Sequence, residues 1–129
     1  MLGDHPVNAT VATSDLTRAR TFYEDTLGLK VEPGQESEEE GGGLVFRSGS
    51  THILVYQSQF AGTGEATAAT WLVDDFDAVA ADLRSRGVTF EQYDLPGVKT
   101  DAEGIAAGDG IKLAWFKDPD GNILNITQM

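Results

Sequence analysis

The chain contains the same passage twice. Ser14-Asp15-Leu16 opens a helical stretch that stops at Leu27-Gly28 and runs into Leu29-Lys30-Val31-Glu32; further on, Asp74-Asp75-Phe76 opens another, which stops at Arg86-Gly87 before Val88-Thr89-Phe90-Glu91. A unit of this size cannot bury its apolar face alone and must pack on a partner, so the repeat commits the chain to paired modules with a shared core. A ligand site is then expected where the modules meet.

Residues 7–13 alternate, with Val7, Ala9 and Val11 on one face and Asn8, Thr10 and Ala12 on the other, the period of a half-buried strand. Leu16, Ala19, Tyr23 and Leu27 then fall at helical spacing with Phe22 beside them. Ser14 or Asp15 serves as N-cap and Gly28 as the stop. Strands are expected at 29–32, 44–47 and 51–57, and residues 58–67, with Gly62-Thr63-Gly64, form the connector. The order then repeats. A strand at 68–73 leads to a helix marked by Phe76, Val79, Ala80 and Leu83, capped by Asp75 and ended by Gly87, and a strand at 88–92 follows. Residues 96–110 read as a long loop of the kind that borders a ligand site. Strands at 111–117 and 122–127 finish the chain, joined through Asp118-Pro119-Asp120-Gly121. The fold class is α+β, two βαβββ modules at about 5–57 and 68–128 within one domain of 129 residues, with Phe22, Tyr23 and Phe76 in the core.

Composition narrows the partners. A formal net charge of −12 repels phosphate backbones and anionic lipid surfaces, so nucleic acid and membranes are not expected. Part of that charge lies in Glu36-Ser37-Glu38-Glu39-Glu40-Gly41-Gly42-Gly43, read as a solvated hairpin loop. The chain has no cysteine, which excludes disulfides and thiolate chemistry, and its apolar runs are strand-sized. No basic, apolar leader is visible at the N-terminus, and a cytoplasmic location is expected.

The order of elements, the Ser-Asp-Leu helix start leading to Phe22-Tyr23 and Leu27-Gly28-Leu29, and the ending Trp115-Phe116-Lys117-Asp118-Pro119-Asp120-Gly121-Asn122-Ile123-Leu124 resemble the vicinal oxygen chelate superfamily. More narrowly, the chain resembles its small glyoxalase/bleomycin resistance/dioxygenase proteins. The resemblance covers nearly the whole chain. It implies curved mixed sheets around a cavity and a homodimer.

In the metal-dependent members, four inward-facing residues, typically His or Glu, hold a divalent cation that receives two substrate oxygens. The matching positions here are Asn8, seven residues before Asp15; Leu54 within Ile53-Leu54-Val55-Tyr56; Ala68, ahead of Asp74; and Asn125, four residues after Gly121. Two amides and two apolar side chains do not make such a site. No metal and no cofactor is expected.

His5 and His52 are the only imidazoles. His5 sits in an N-terminal segment expected to fray. His52 shares strand parity with Leu54 and Tyr56 and is either an ordinary strand-end histidine or a cavity residue that orients a ligand or acts as a general base. Asp118, Asp120 and Asn122 superficially follow a calcium loop, but Ile123 stands where the glycine is required and Met129 where the bidentate Glu is, so the motif reads as a turn. Shared parity places Asn8, Thr10, Thr70, Leu72, Ile123, Asn125 and Thr127 on the cavity face, with Tyr56 opposite and Trp115 or Phe116 nearby. Only one of Trp115 and Phe116 can join them. The expected ligand contacts are therefore Asn8, Thr10, His52, Leu54, Tyr56, Thr70, Leu72, Trp115 and Asn125. The expected function is metal-independent binding of a small, mostly aromatic organic molecule, as in drug-binding relatives; the alternative is a glyoxalase-like lyase or isomerase, or another enzyme of the superfamily, with an atypical or metal-free site.

Overall fold

The computed structural model describes residues 1–36 and 42–129. The acidic stretch read as a hairpin loop falls largely outside them. Strand β1 (Ala9–Thr13) leads into helix α1 (Leu16–Thr21), which widens into a π-type turn over Phe22–Thr26. Strands β2 (Lys30–Glu36), β3 (Gly43–Ser48) and β4 (Thr51–Gln57) follow. After the connector come β5 (Thr67–Leu72), helix α2 (Phe76–Ser85), a small hairpin of β6 (Asp94–Leu95) and β7 (Val98–Lys99), then β8 (Ile105–Gly108), β9 (Ile111–Lys117) and β10 (Ile123–Gln128).

The repeat is visible in the topology. One sheet has the order β1-β4-β3-β2 and the other β5-β10-β9-β8, so each places its first strand beside its last. That pair is parallel in both sheets and the remaining pairs are antiparallel. The helix starts repeat too: the Asp15 carboxylate accepts from the Arg18 amide at 3.1 Å, and the Asp75 carboxylate from the Ala78 amide at 3.2 Å. Both sheets lay one face on a common core, in which Tyr23, Phe46, Phe76, Phe116 and Leu124 are the largest enclosed side chains. Phe22 packs against this core from its edge.

The second module departs from expectation at one place. Residues 88–92 are not a strand of the sheet, although the Glu91 amide donates to the Trp115 carbonyl at 2.8 Å. Phe90 instead turns into the core against Phe116, with the Arg84 guanidinium over its ring. Gly104 closes over this turn at a positive φ, so tightly that a Cβ there would lie 2.6 Å from the Phe90 Cβ. The outer strand of the sheet is then β8, drawn from the segment read as a loop.

The Asp118-Pro119-Asp120-Gly121 turn ties the halves together. Asp120 accepts from the Thr13 hydroxyl at 2.6 Å, from the Ser14 amide and hydroxyl at 2.9 and 2.6 Å, and from Arg18 at 2.8 Å. Asp118 accepts from the buried Tyr23 hydroxyl at 2.8 Å and from the side-chain amide of Asn122, which also donates to the Ala12 carbonyl at 2.7 Å. The connector meets the same turn through Gly62, where any Cβ would collide with the Asp120 carbonyl.

Candidate functional site

Strand β9 alternates from Leu113 to Lys117. Ala114 and Phe116 are fully enclosed, Phe116 against Trp71 and Phe90, so Trp115 must project from the opposite face. This settles which of the adjacent aromatics leaves the core. The Trp115 indole donates to the Thr67 hydroxyl at 3.2 Å, and Tyr93 meets it edge-on, with ring centroids 5.5 Å apart and planes at 82°. Trp115 is thereby held by a polar contact on one side and an aromatic one on the other.

An open cleft of about 730 Å³ lies over this pair. Its walls are the end of the connector from Gly62 to Thr67, Tyr93, Leu95 and Val98 near and on the β6–β7 hairpin, and Ile123 at the start of β10, with Glu91 and Lys117 at its sides. The hairpin is fixed at its base: the Tyr93 amide donates to the Thr100 hydroxyl at 2.8 Å and the Thr100 amide to the Tyr93 carbonyl at 2.9 Å. On its far side a second hollow of about 440 Å³ runs along β8 and β9 and shares Leu95, Val98 and Trp115 with the first. Burial, with the Glu91 charge as a second cause, pushes the Tyr93 phenol above its ordinary pKa.

The expected contact residues separate into two rows. Strand register sets Thr70, Asn125 and Trp115 side by side across β5, β10 and β9. Asn125 is buried and accepts from the Thr127 hydroxyl, whereas Thr70 and, further along β5, Leu72 are exposed. In the other sheet Thr10 lies beside Leu54 and Ala12 beside Tyr56; Thr10 and Tyr56 are exposed and Leu54 is half-buried. Of the nine, only Trp115 lines the larger cleft. Asn8 precedes β1 and accepts from the His52 amide at 3.3 Å. The His52 ring shares the Glu32 carboxylate, at 3.0 Å, with Arg47, which makes a two-point contact at 2.9 and 3.1 Å. Hydrogen bonds from Arg47 first, then His52, hold the Glu32 carboxyl below the ordinary carboxylate range.

Sequence reasoning missed Thr67, Glu91, Tyr93 and Leu95, while Val98 falls in the 96–110 stretch expected to border a ligand site. From the sequence Glu91 reads as part of a strand and Thr67 as connector, and Tyr93 and Leu95 follow no period. Lys117 was within reach, because it shares the parity of Trp115 on β9. The donor set does not fit the superfamily's divalent ion: amide oxygens are weak neutral ligands, and Leu54 and Ala68 offer none. Among the described residues, no three His, Cys, Asp or Glu side chains come together as a metal-holding group.

The sequence profile of the Glyoxalase/Bleomycin resistance protein/Dioxygenase superfamily matches residues 4–126. The chain belongs to this superfamily. Among solved structures, a glyoxalase family protein from Enterococcus faecalis superimposes with a TM-score of 0.73 at 21% identity, covering 98% of this chain and 99% of that one. TnmS3, an antibiotic binding protein from Streptomyces sp. CB03234, gives 0.68 at 25% identity with 96% and 94% covered. A glyoxalase/bleomycin resistance protein from the same organism gives 0.64 at 27% identity with 95% and 100% covered. No curated protein matches the sequence. No helix among the described residues is long and apolar enough to cross a membrane.

Proposed function

We propose that this member of the superfamily binds a small, predominantly aromatic organic molecule in the Trp115 cleft, without a metal ion. The observation that carries the reading is the cleft itself: a large concavity whose floor is an indole oriented by Thr67 and buttressed by Tyr93. Pockets for organic ligands combine an apolar, aromatic lining with a few placed polar groups, and this cleft has that composition. The superfamily's metal positions hold no side chain able to retain a divalent ion, and a binder needs none. The antibiotic-binding Streptomyces structure lends the same reading support through its likeness in fold.

The same strand faces leave Leu72 70% and Tyr56 39% exposed, and a second copy covering them makes a homodimer the fitting assembly. One observation favours a second reading, a metal-free enzyme: the Glu32 carboxylate orients His52 as it would a general base. His52 does not line the Trp115 cleft, however, which keeps this reading second.

The test uses tryptophan emission. Replacing Trp71→Phe leaves Trp115 as the single tryptophan. Titration with acridine, a flat tricycle, is expected to quench it saturably, and Trp115→Ala to weaken binding by about tenfold in calorimetry. Unsaturable quenching, or unchanged affinity in Trp115→Ala, would overturn the proposal.

A further inference from the structure

The larger cleft carries charge of one predominant sign beside its aromatic floor. Glu65 and Glu91 both line it, and Lys117 is its one cationic lining residue. Glu91 is half-buried, anchored by its backbone to Trp115, and close enough to Tyr93 for its charge to be felt at the phenol. Among the described residues, the carboxylates that have a basic group within 4.0 Å include neither Glu65 nor Glu91, and Lys117 has no acidic partner either. Carboxylates such as Asp25, Asp94 and Glu103 also have no such partner, so it is their position on the cleft, beside its aromatic floor, that sets Glu65 and Glu91 apart. Glu65 and Glu91 thus bring two carboxylates without a basic partner to the lining of the cleft in which an organic ligand would lie.

We infer that the ligand of the Trp115 cleft is a cationic aromatic molecule, one bearing an amine or other protonated nitrogen on or next to its ring system. The inference rests on the aromatic-binding reading above and adds the sign of the charge. An aromatic floor attracts a cation through the ring quadrupole, and a carboxylate at the edge of the same cleft adds direct ion pairing with a partly desolvated partner. An anionic ligand would meet two carboxylates that have no basic partner, and one exposed ammonium does not offset them. The overall charge of −12 acts in the same direction over longer range, but salt screens it beyond about 8 Å at physiological ionic strength. Only the local carboxylates can then distinguish ligands of opposite charge.

Three tricycles of one shape provide the test: 9-aminoacridine, protonated at neutral pH; acridine, neutral; and acridine-9-carboxylate, an anion. Calorimetry at physiological salt is expected to rank them in that order, the cation binding about tenfold more tightly than the anion. The double variant Glu65→Gln/Glu91→Gln should bring the ratio close to unity, and Lys117→Gln should widen it by about threefold. Glu103→Gln changes the net charge at a residue outside the cleft and should leave the ratio unchanged. Equal affinity for cation and anion, or a ratio that survives the double variant, would overturn the inference while leaving an aromatic site in place. If none of the three binds and Trp115 emission does not change, the aromatic site fails and the inference with it.

Discussion

Trp115 and Asp118 lie three positions apart on one hairpin and occupy opposite kinds of environment. Asp118 is buried, and its carboxylate accepts from the Tyr23 hydroxyl, the Asn122 side chain and the amides of Asp120 and Asn122. Trp115 has one polar contact and an open cleft above it. The first region is filled by the protein's own groups, and the second is open. The difference teaches where structure and function divide in this chain. The Asp-Pro-Asp-Gly turn ties the two modules together, while the cleft is walled, Gly121 apart, by residues outside that turn.

The comparison can be broken most severely at Asp118. Asp118→Ala strands a buried tyrosine hydroxyl and frees Asn122, and is expected to cost about 3 kcal/mol of unfolding free energy in urea titrations. Trp115→Ala, which opens no comparable network, should cost far less stability in the same assay. A stability loss for Trp115→Ala as large as that for Asp118→Ala would erase the distinction.

Asp120 adds a pH dependence. Burial favours its neutral form, but hydrogen bonds from Ser14 and Thr13 and the Arg18 charge outweigh it and hold the carboxyl below its ordinary value. A depressed native pKa contributes stability above the unfolded value, near 3.9, that is lost as the pH falls through the lower native one. Asp120→Asn should therefore be less stable by about 1–2 kcal/mol at neutral pH, and the gap should narrow steadily below about pH 4. A gap that stays constant with pH would contradict this assignment.

Smaller effects sharpen the cleft. Thr67→Val removes the acceptor of the Trp115 indole and is expected to weaken acridine binding by about threefold with little change in stability. His52→Ala should leave that affinity unchanged, because His52 belongs to the Glu32–Arg47 cluster and not to the cleft. Turnover of any ligand that His52→Ala abolished would favour the enzyme reading.

Much of the fold was legible because local chemistry and topology agree. Asp15 and Asp75 cap helices as their positions demand, Gly28 and Gly87 end them at positive φ, and β4 and β9 follow the expected period of two. The exchange of 88–92 for β8 was not legible. Val88-Thr89-Phe90 has strand character but is drawn into the core by Phe90, and Ile105-Ala106-Ala107-Gly108 has weak character but gains a partner in β9. The site divides in the same manner. Alternation on β9 narrows the choice to Trp115 or Phe116 and the burial of Phe116 decides it, whereas Thr67 and Tyr93 reach Trp115 only because two distant segments come back beside it, and no local pattern records that return.

The central claim is a metal-free aromatic site on Trp115, and native mass spectrometry of tag-free protein taken from its own host, before and after chelation, tests it most directly. The account predicts an intact organic adduct that survives the chelator and is absent from Trp115→Ala. A tightly held divalent ion, with an adduct that departs when the ion is removed, would contradict it.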